Sequence, residues 1–219
     1  SEKPEVTSVA MQIKRQSYFN YGIYDVDKAQ AAGDLSQALS HETTQGIANE
    51  IDLAIAGVVT DTQAQKLYGT VPKVVSGTAG SGEKNVLEVL DEAQQKLYEA
   101  NVPTTEYVEV IMSPRFYTLF RREYTKLDTN NSEILKNGKV GMYGNMTVKL
   151  SNNVQTAANG AQDLIMVRTK KAIAAAKTLS KVEAYRPEKG FDDAVKGLTV
   201  HDRKLVRPKE LVVVNVKYA

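Results

Sequence analysis

The chain has 219 residues, 42% hydrophobic and 25% charged, with a formal net charge of +2, enough for one ample core or two modest ones at about 100–200 residues per domain. So small a net charge argues by itself for neither a nucleic-acid nor a membrane partner, and no apolar run reaches the roughly 18 residues of a membrane span or forms a signal-peptide core. The absence of cysteine excludes disulfides, thiolate metal sites and cysteine nucleophiles together, so stability must come from packing.

Residues 5–24 have extended character. Val6, Val9, Met11 and Ile13 mix with polar residues without sustained alternation, and Tyr18, Phe19, Tyr21 and Tyr24 favour strand conformations. Asp25, Asp27 and Asp34 follow, where carboxylates accept orphan N–H groups and complement the dipole of a helix start. Over residues 34–59, Ile47, Ile51, Ile55, Val58 and Val59 share one stripe, with Asn49, Glu50 and Asp52 off it, which predicts one long amphipathic helix. About 25 residues extend close to 40 Å, longer than a compact domain of this size needs, so the helix is expected to act as a spine. Gly46 and Gly57 each weaken it by about 1 kcal/mol relative to Ala, and tertiary contacts must fix it. The aromatic run at 18–24 therefore reads as a strand end packed where the chain turns into this helix, not as a ligand platform.

Residues 76–84, SGTAGSGEK, predict a loop or linker. Val86, Leu90, Ala93 and Leu97 then recur at helical spacing until Asn101-Val102-Pro103 stops the pattern. Val108, Val110 and Met112 alternate against Tyr107 and Glu109 as a strand. Ser113-Pro114 supplies an N-cap and an N1 proline for a short helix with Phe116, Phe120 and Tyr124 spaced by four. Around Gly144-Asn145 two short extended arms predict a hairpin, with Met146, Val148 and Leu150 facing away from Thr147 and Lys149. Residues 163–169 and 180–186 predict strands flanking the Ala-rich KAIAAAK, whose state the pattern leaves open. Two more strands surround Arg207-Pro208, the second holding Leu211 to Val214 as a continuous buried run. Helices early, strands late and no regular βαβ alternation define an α+β class.

Chemistry-bearing motifs fail on inspection. Gly77 and Gly82 stand five apart, as in a phosphate-binding loop, after PKVV as a short strand and before a helix. Glu83 intrudes before Lys84, and Asn85 replaces the Ser or Thr that would hold Mg²⁺; a carboxylate among the N–H groups repels phosphate. The stretch reads as a loop. Residues 128–133, DTNNSE, begin like a calcium loop with Asp128, Asn130 and Ser132 at alternate positions. Glu133 occupies the place of the turning glycine, however, and Lys139 that of the bidentate Glu, so a polar surface loop is expected. His41 and His201 lie 160 positions apart, belong to no metal spacing and read as surface histidines. No Gly-x-Ser-x-Gly elbow exists, and Asp192-Asp193 reads as a solvated loop pair. No catalytic, cofactor-binding or metal-ligating residue is assigned, and no cofactor is expected.

Charge is unevenly distributed. Residues 1–167 carry 15 Lys/Arg against 20 Asp/Glu, a net −5, and residues 168–219 carry 13 against 6, a net +7. A molecule acidic at one end and basic at the other can meet copies of itself head to tail, in contacts that close into rings when the rotation allows. Scattered lysines with Tyr185, Phe191 and Tyr218 as stackers suit loose contact with nucleic acid, not sequence-specific recognition.

The ordered segments YDVDKAQAAGDL, TTQGIANEIDLAIAGVV, VLEVLDEAQQKLYEANVP leading to YVEVIMSPRFYTLF, and GKVGMYGNMTVKLSNNV resemble the major capsid proteins of tailed bacteriophages, over about Tyr18 to Val216. The resemblance implies an α+β, Hong Kong 97-type capsid fold with a long spine helix, a peripheral domain and an axial domain. Residues 1–20 are then the remnant of an extended loop that crosses a neighbouring subunit, 21–80 and 180–219 the peripheral domain, and 81–179 the axial domain. The implied function is a non-enzymatic coat protein that assembles as hexamers and pentamers into an icosahedral shell around phage double-stranded DNA. Its partners are then further copies of itself, a portal, scaffold or maturation protease, and non-specifically the packaged DNA, with no membrane. Its location is the virion, and the host cytoplasm during assembly. The family carries an N-terminal arm and a first loop strand upstream, so a chain starting at Ser1 is expected to be N-terminally truncated, with assembly weakened or abolished. Some relatives form Lys–Asn isopeptide cross-links; no such pair is assigned here. An encapsulin-like bacterial nanocompartment shell shares the fold and is the alternative, and a nucleotide-binding enzyme resting on residues 77–85 is the rival from another class.

Overall fold

The computed structural model describes residues 8–24, 35–127, 141–188 and 192–218. The calcium-like stretch 128–133, Phe191 and the entry residues Asp25 to Asp34 lie outside them. In chain order the elements are β1 (Arg15–Tyr24), α1 (Leu35–Ala56), β2 (Gln65–Lys66), β3 (Lys73–Val75), β4 (Glu83–Asn85), α2 (Val86–Glu99), β5 (Val108–Met112), α3 (Pro114–Tyr124), β6 (Met142–Tyr143), β7 (Met146–Leu150), β8 (Thr156–Ala157), β9 (Gln162–Thr169), β10 (Ile173–Tyr185), β11 (Asp192–Leu205) and β12 (Leu211–Lys217). Contacts group them into one unit of residues 1–55 with 174–204 and a second of 56–173 with 205–219. These cuts fall elsewhere than the implied domain limits at 20, 80 and 179, chiefly because β12 pairs inside the second unit.

In the first unit β1, β11 and β10 form a three-stranded sheet in that order, with β1 antiparallel to β11 from Arg15 opposite His201 to Tyr24 opposite Asp192. Contrary to the irregular pattern expected for 5–24, β1 alternates: Ser17, Phe19, Tyr21 and Ile23 are more buried than Tyr18, Asn20, Gly22 and Tyr24. Polar Ser17 on the inner face hides the period from hydropathy. Asp192 and Asp193 open β11 instead of a loop, and KAIAAAK is largely strand, within β10, where pairing overrides alanine's helical preference. The helix α1 keeps the predicted stripe, with Ala54 buried, Ile47, Ile51 and Ile55 half-buried and Glu42, Glu50 and Asp52 exposed. It stops at Ala56, and Gly57–Thr60 tightens into a 3₁₀ turn.

The second unit holds the main core. Its sheet runs β4-β3-β12-β9-β5-β7-β6, with β2 pairing β12 and β8 pairing β9. One face presents Val110, Val167, Val212 and Val214 to α2 and α3, whose Leu90, Leu97, Phe116 and Phe120 are fully buried against it. Asn85 caps α2 by accepting from Leu87 N–H at 2.8 Å, and Ser113 caps α3 ahead of Pro114 as the sequence predicts. β6 and β7 form the expected hairpin, Tyr143 opposite Met146, around Gly144 at φ 54°, a conformation that glycine adopts without steric cost.

The simple alternation predicted for β5 fails at Glu109, which is 1% exposed. It faces away from the helices, opposite Arg168 on β9 and beside Lys149 on β7. Its carboxylate pairs with Arg168 at 2.6 Å and Lys149 at 2.5 Å, and that bidentate neutralisation permits the burial.

Candidate functional site

The glycine loop is built to satisfy itself. Glu83 accepts from Gly80 N–H at 3.2 Å and pairs with Lys73 at 2.9 Å; the Lys73 hydrogen bond first, then the Gly80 N–H, hold its carboxyl below the usual range. Lys84, the residue a phosphate would need, lies 5.1 Å over the Tyr68 ring and is bound by Glu92, which raises its ammonium above the usual lysine range. Tyr68 donates to the same carboxylate at 2.6 Å; burial, then Glu92, push its hydroxyl up. Asn85, in the Ser/Thr place, donates to Gly77 C=O at 2.8 Å and to Glu123 at 3.1 Å. The loop thus offers carboxylates and engaged donors where a phosphate requires free N–H groups.

The other motif residues disperse. His41 is exposed on α1, whereas His201 is not the surface histidine expected: it is buried in β11. Tyr218 is no free stacker either. It donates to Asp163 at 2.6 Å while Arg115 covers its ring at 4.8 Å, and burial, then Asp163, raise its hydroxyl. Ser113 also donates to Asp163, so the cluster ties the end of β12 to the start of α3. Tyr185 lies under Lys196 at 5.1 Å and donates to Asn20 at 3.2 Å.

What the first unit does present is surface suited to protein contact. A cavity of about 280 Å³ runs between α1 and the sheet, lined by Phe19, Tyr21, Ile47, Ile51, Val182 and Val195. On the opposite sheet face a groove of about 420 Å³ is lined by Tyr18, Asn20, Lys181, Glu183, Lys196 and Leu198, and Tyr18 is 82% exposed. Among the described residues no element covers that face, and β1 and β10 each have one unpaired edge, a template for further strand pairing. Part of the basic charge after residue 167 is neutralised by carboxylates: Arg168 by Glu109, Lys171 by Glu106, Lys196 by Glu183 and Arg207 by Glu210. Composition counted these charges but could not show them paired.

No protein-family model and no curated protein sequence matches the chain. Solved structures do. A structure from Mycobacterium phage Che8 superposes with a TM-score of 0.76 at 22% identity, covering 96% of this chain and 76% of that one. The capsid structure of the cyanophage P-SCSP1u gives 0.71 at 16% identity over 100% and 79%. The holo-SrpI encapsulin complex from Synechococcus elongatus PCC 7942 gives 0.57 at 10% identity over 93% and 74%. The fold is therefore the α+β shell fold of phage capsids, the Hong Kong 97-type fold. The sequence resemblance and the structural likeness agree on this fold.

Proposed function

We propose that this chain is a major capsid protein, which assembles as hexamers and pentamers into an icosahedral shell around phage double-stranded DNA. The observation that carries the reading is superposition of all or nearly all of the chain on a structure from Mycobacterium phage Che8 and on the capsid structure of cyanophage P-SCSP1u, at TM-scores of 0.76 and 0.71. Charge and surface support it: an acidic helix exterior, an uncovered sheet face and open strand edges suit contacts between different faces of identical copies. In this reading the unit carrying α1 is the peripheral domain and the nine-stranded unit the axial domain, with residues 8–14 belonging to the loop that crosses a neighbour. The protein does no chemistry. It works in the virion after assembly in the host cytoplasm, beside a portal and a scaffold or maturation protease, and touches DNA without reading it.

Electron microscopy of the full-length gene product tests this: closed particles or rings of five and six subunits are expected, and a full-length product that stays monomeric at every accessible concentration overturns it. The encapsulin likeness at a TM-score of 0.57 supports a second reading, a nanocompartment shell enclosing protein cargo. Nearby terminase and portal genes favour the first reading, and a peroxidase-like cargo gene the second.

A further inference from the structure

We propose that a cavity between α1 and strands β10 and β11 binds a small inorganic oxyanion of the phosphate or sulfate class. The cavity measures about 110 Å³ and lies wholly within the first unit. Ile51, Ala54 and Ile55 form its apolar wall from α1, which contributes no charged side chain; β10 contributes Lys177, and β11 contributes His201, Asp202 and Arg203.

One orphaned buried group and an excess of cations mark the cavity. His201 is 4% exposed, and its Nδ1 is buried without a hydrogen-bond partner, a condition natural interiors seldom tolerate without a bound water or ion. Lys177 has no ion-pair partner among the described residues. Arg203 is fixed in place, its Nε donating to Ala54 C=O and its guanidinium 3.6 Å from Asp202. Asp202 is the one carboxylate in the lining, and it is already engaged by Lys14 N–H at 3.1 Å, Arg203 N–H at 2.8 Å and the Arg15 side chain at 3.7 Å. Burial opposes its ionisation, but those N–H groups and cations hold its carboxyl below the usual range.

The local balance is therefore positive, with Lys177 left uncompensated beside the unpartnered His201 Nδ1, which donates in the tautomer that carries its proton there. Such a site repels metal cations and rewards an acceptor that takes several N–H bonds at once. At about 110 Å³ the cavity has room for one tetrahedral oxyanion and not for a nucleotide. The site holds whether or not the chain builds a shell.

Equilibrium dialysis of the full chain against radiolabelled inorganic phosphate at constant ionic strength tests it. One saturable site per chain is expected, displaced by sulfate and not by chloride. Lys177→Met weakens it at least tenfold, while His41→Gln leaves it unchanged. Because Lys177 is exposed and makes no ion pair, the Met variant keeps the parent's thermal midpoint in chloride. In the parent, phosphate at ten times its Kd raises that midpoint by roughly 3–6 °C. The absence of saturable binding, or binding that survives Lys177→Met intact, overturns the proposal.

Discussion

Replacing Glu109 by Leu loads the second unit at its buried ion-pair network. The carboxylate side chain is 2% exposed and bridges Arg168, 16% exposed, and Lys149, 49% exposed. Lys149 can turn to water once its partner is gone, so its share is that of a surface pair, under about 1 kcal/mol. Arg168 cannot leave as easily, because its strand is central in the sheet and its Nε is already buried without a partner. Stranding one buried partner costs about 3–5 kcal/mol, and partial exposure of Arg168 places the expectation near the lower end, about 3 kcal/mol. For a chain of this length that lowers the thermal midpoint by roughly 6–12 °C. Glu109→Gln falls between, since its amide oxygen still accepts from the guanidinium, and Lys149→Met costs under about 1 kcal/mol. The double variant Glu109→Leu with Arg168→Leu recovers most of the loss, because an apolar pair of similar volume no longer buries a charge. Calorimetry on the purified variants decides. A single Glu109→Leu within about 1 kcal/mol of the parent, or a double variant no better than the single, refutes the reasoning.

Gly197→Ala drives a Cβ into Cε1 and Cζ of Phe19, so the ring must swing off the sheet; a loss of about 1–3 kcal/mol is expected in denaturant titration, reduced when Phe19→Leu is added. Ser113→Ala removes the cap that accepts from Phe116 N–H at 3.3 Å and a donor to Asp163, lowering stability by about 1–2 kcal/mol, while Ser113→Thr keeps most of it. Stability against pH should be flat in the middle and fall at both ends. Burial opposes ionisation of Glu92 and Glu210, but hydrogen bonds from Lys84 and Tyr68, and from Thr169 and Arg207, hold both below the ordinary 4.5. Their contribution is complete above that value and is lost as acid carries the pH down through their folded values. Burial, with Glu92 and Asp91 adding to it, raises Tyr68 and Tyr143 above the ordinary 10.0, so their contribution is complete below about pH 10 and is lost on going higher. Equilibrium unfolding across the pH range measures both limbs, and a limb of opposite slope contradicts the assignments. In hydrogen exchange, β10 and β11 amides of the unassembled protein exchange faster than those of β9 and β12, and gain protection in particles.

Elements written in side-chain spacing or in caps were legible from sequence. The α2 stripe through Leu90 and Leu97, the Ser113-Pro114 start of α3 and the Gly144-Asn145 hairpin are each fixed by neighbouring residues. What escaped depends on partners far along the chain. The Ala-rich segment becomes strand because β11 pairs with it, which alanine's own preference cannot reveal. Burial of Glu109 needs Arg168, 59 positions away, and only the register of β5 against β9 brings the two together. His201 looked like a surface residue for the same reason: β1 and α1, which cover it, come from the opposite end of the chain. The phosphate-loop rival was weakened already by Glu83, and the structure adds the Tyr68–Glu92–Lys84 contacts that no local motif contains.

Burial is distributed unequally between the two units, and that inequality bears on what the protein is for. Among the described residues the fully buried apolar side chains of the first unit are Ile23, Ala54 and Ala194, whereas the second unit buries Phe116, Phe120, Leu90, Leu97, Ile165 and a run of valines. A large apolar side chain contributes about 1.5–3 kcal/mol when fully buried, while ordering each residue costs about 1–2 kcal/mol of backbone entropy. Ile23 and two alanines cannot offset the ordering of a three-stranded sheet and a 22-residue helix. Phe19, Tyr21, Ile47 and Ile51 face one another across a cavity and remain only half-buried. A protein meant to work alone would fill that cavity with its own side chains. If the chain builds the proposed shell, part of this core is left for the next copy to complete, and folding of the first unit is then coupled to assembly.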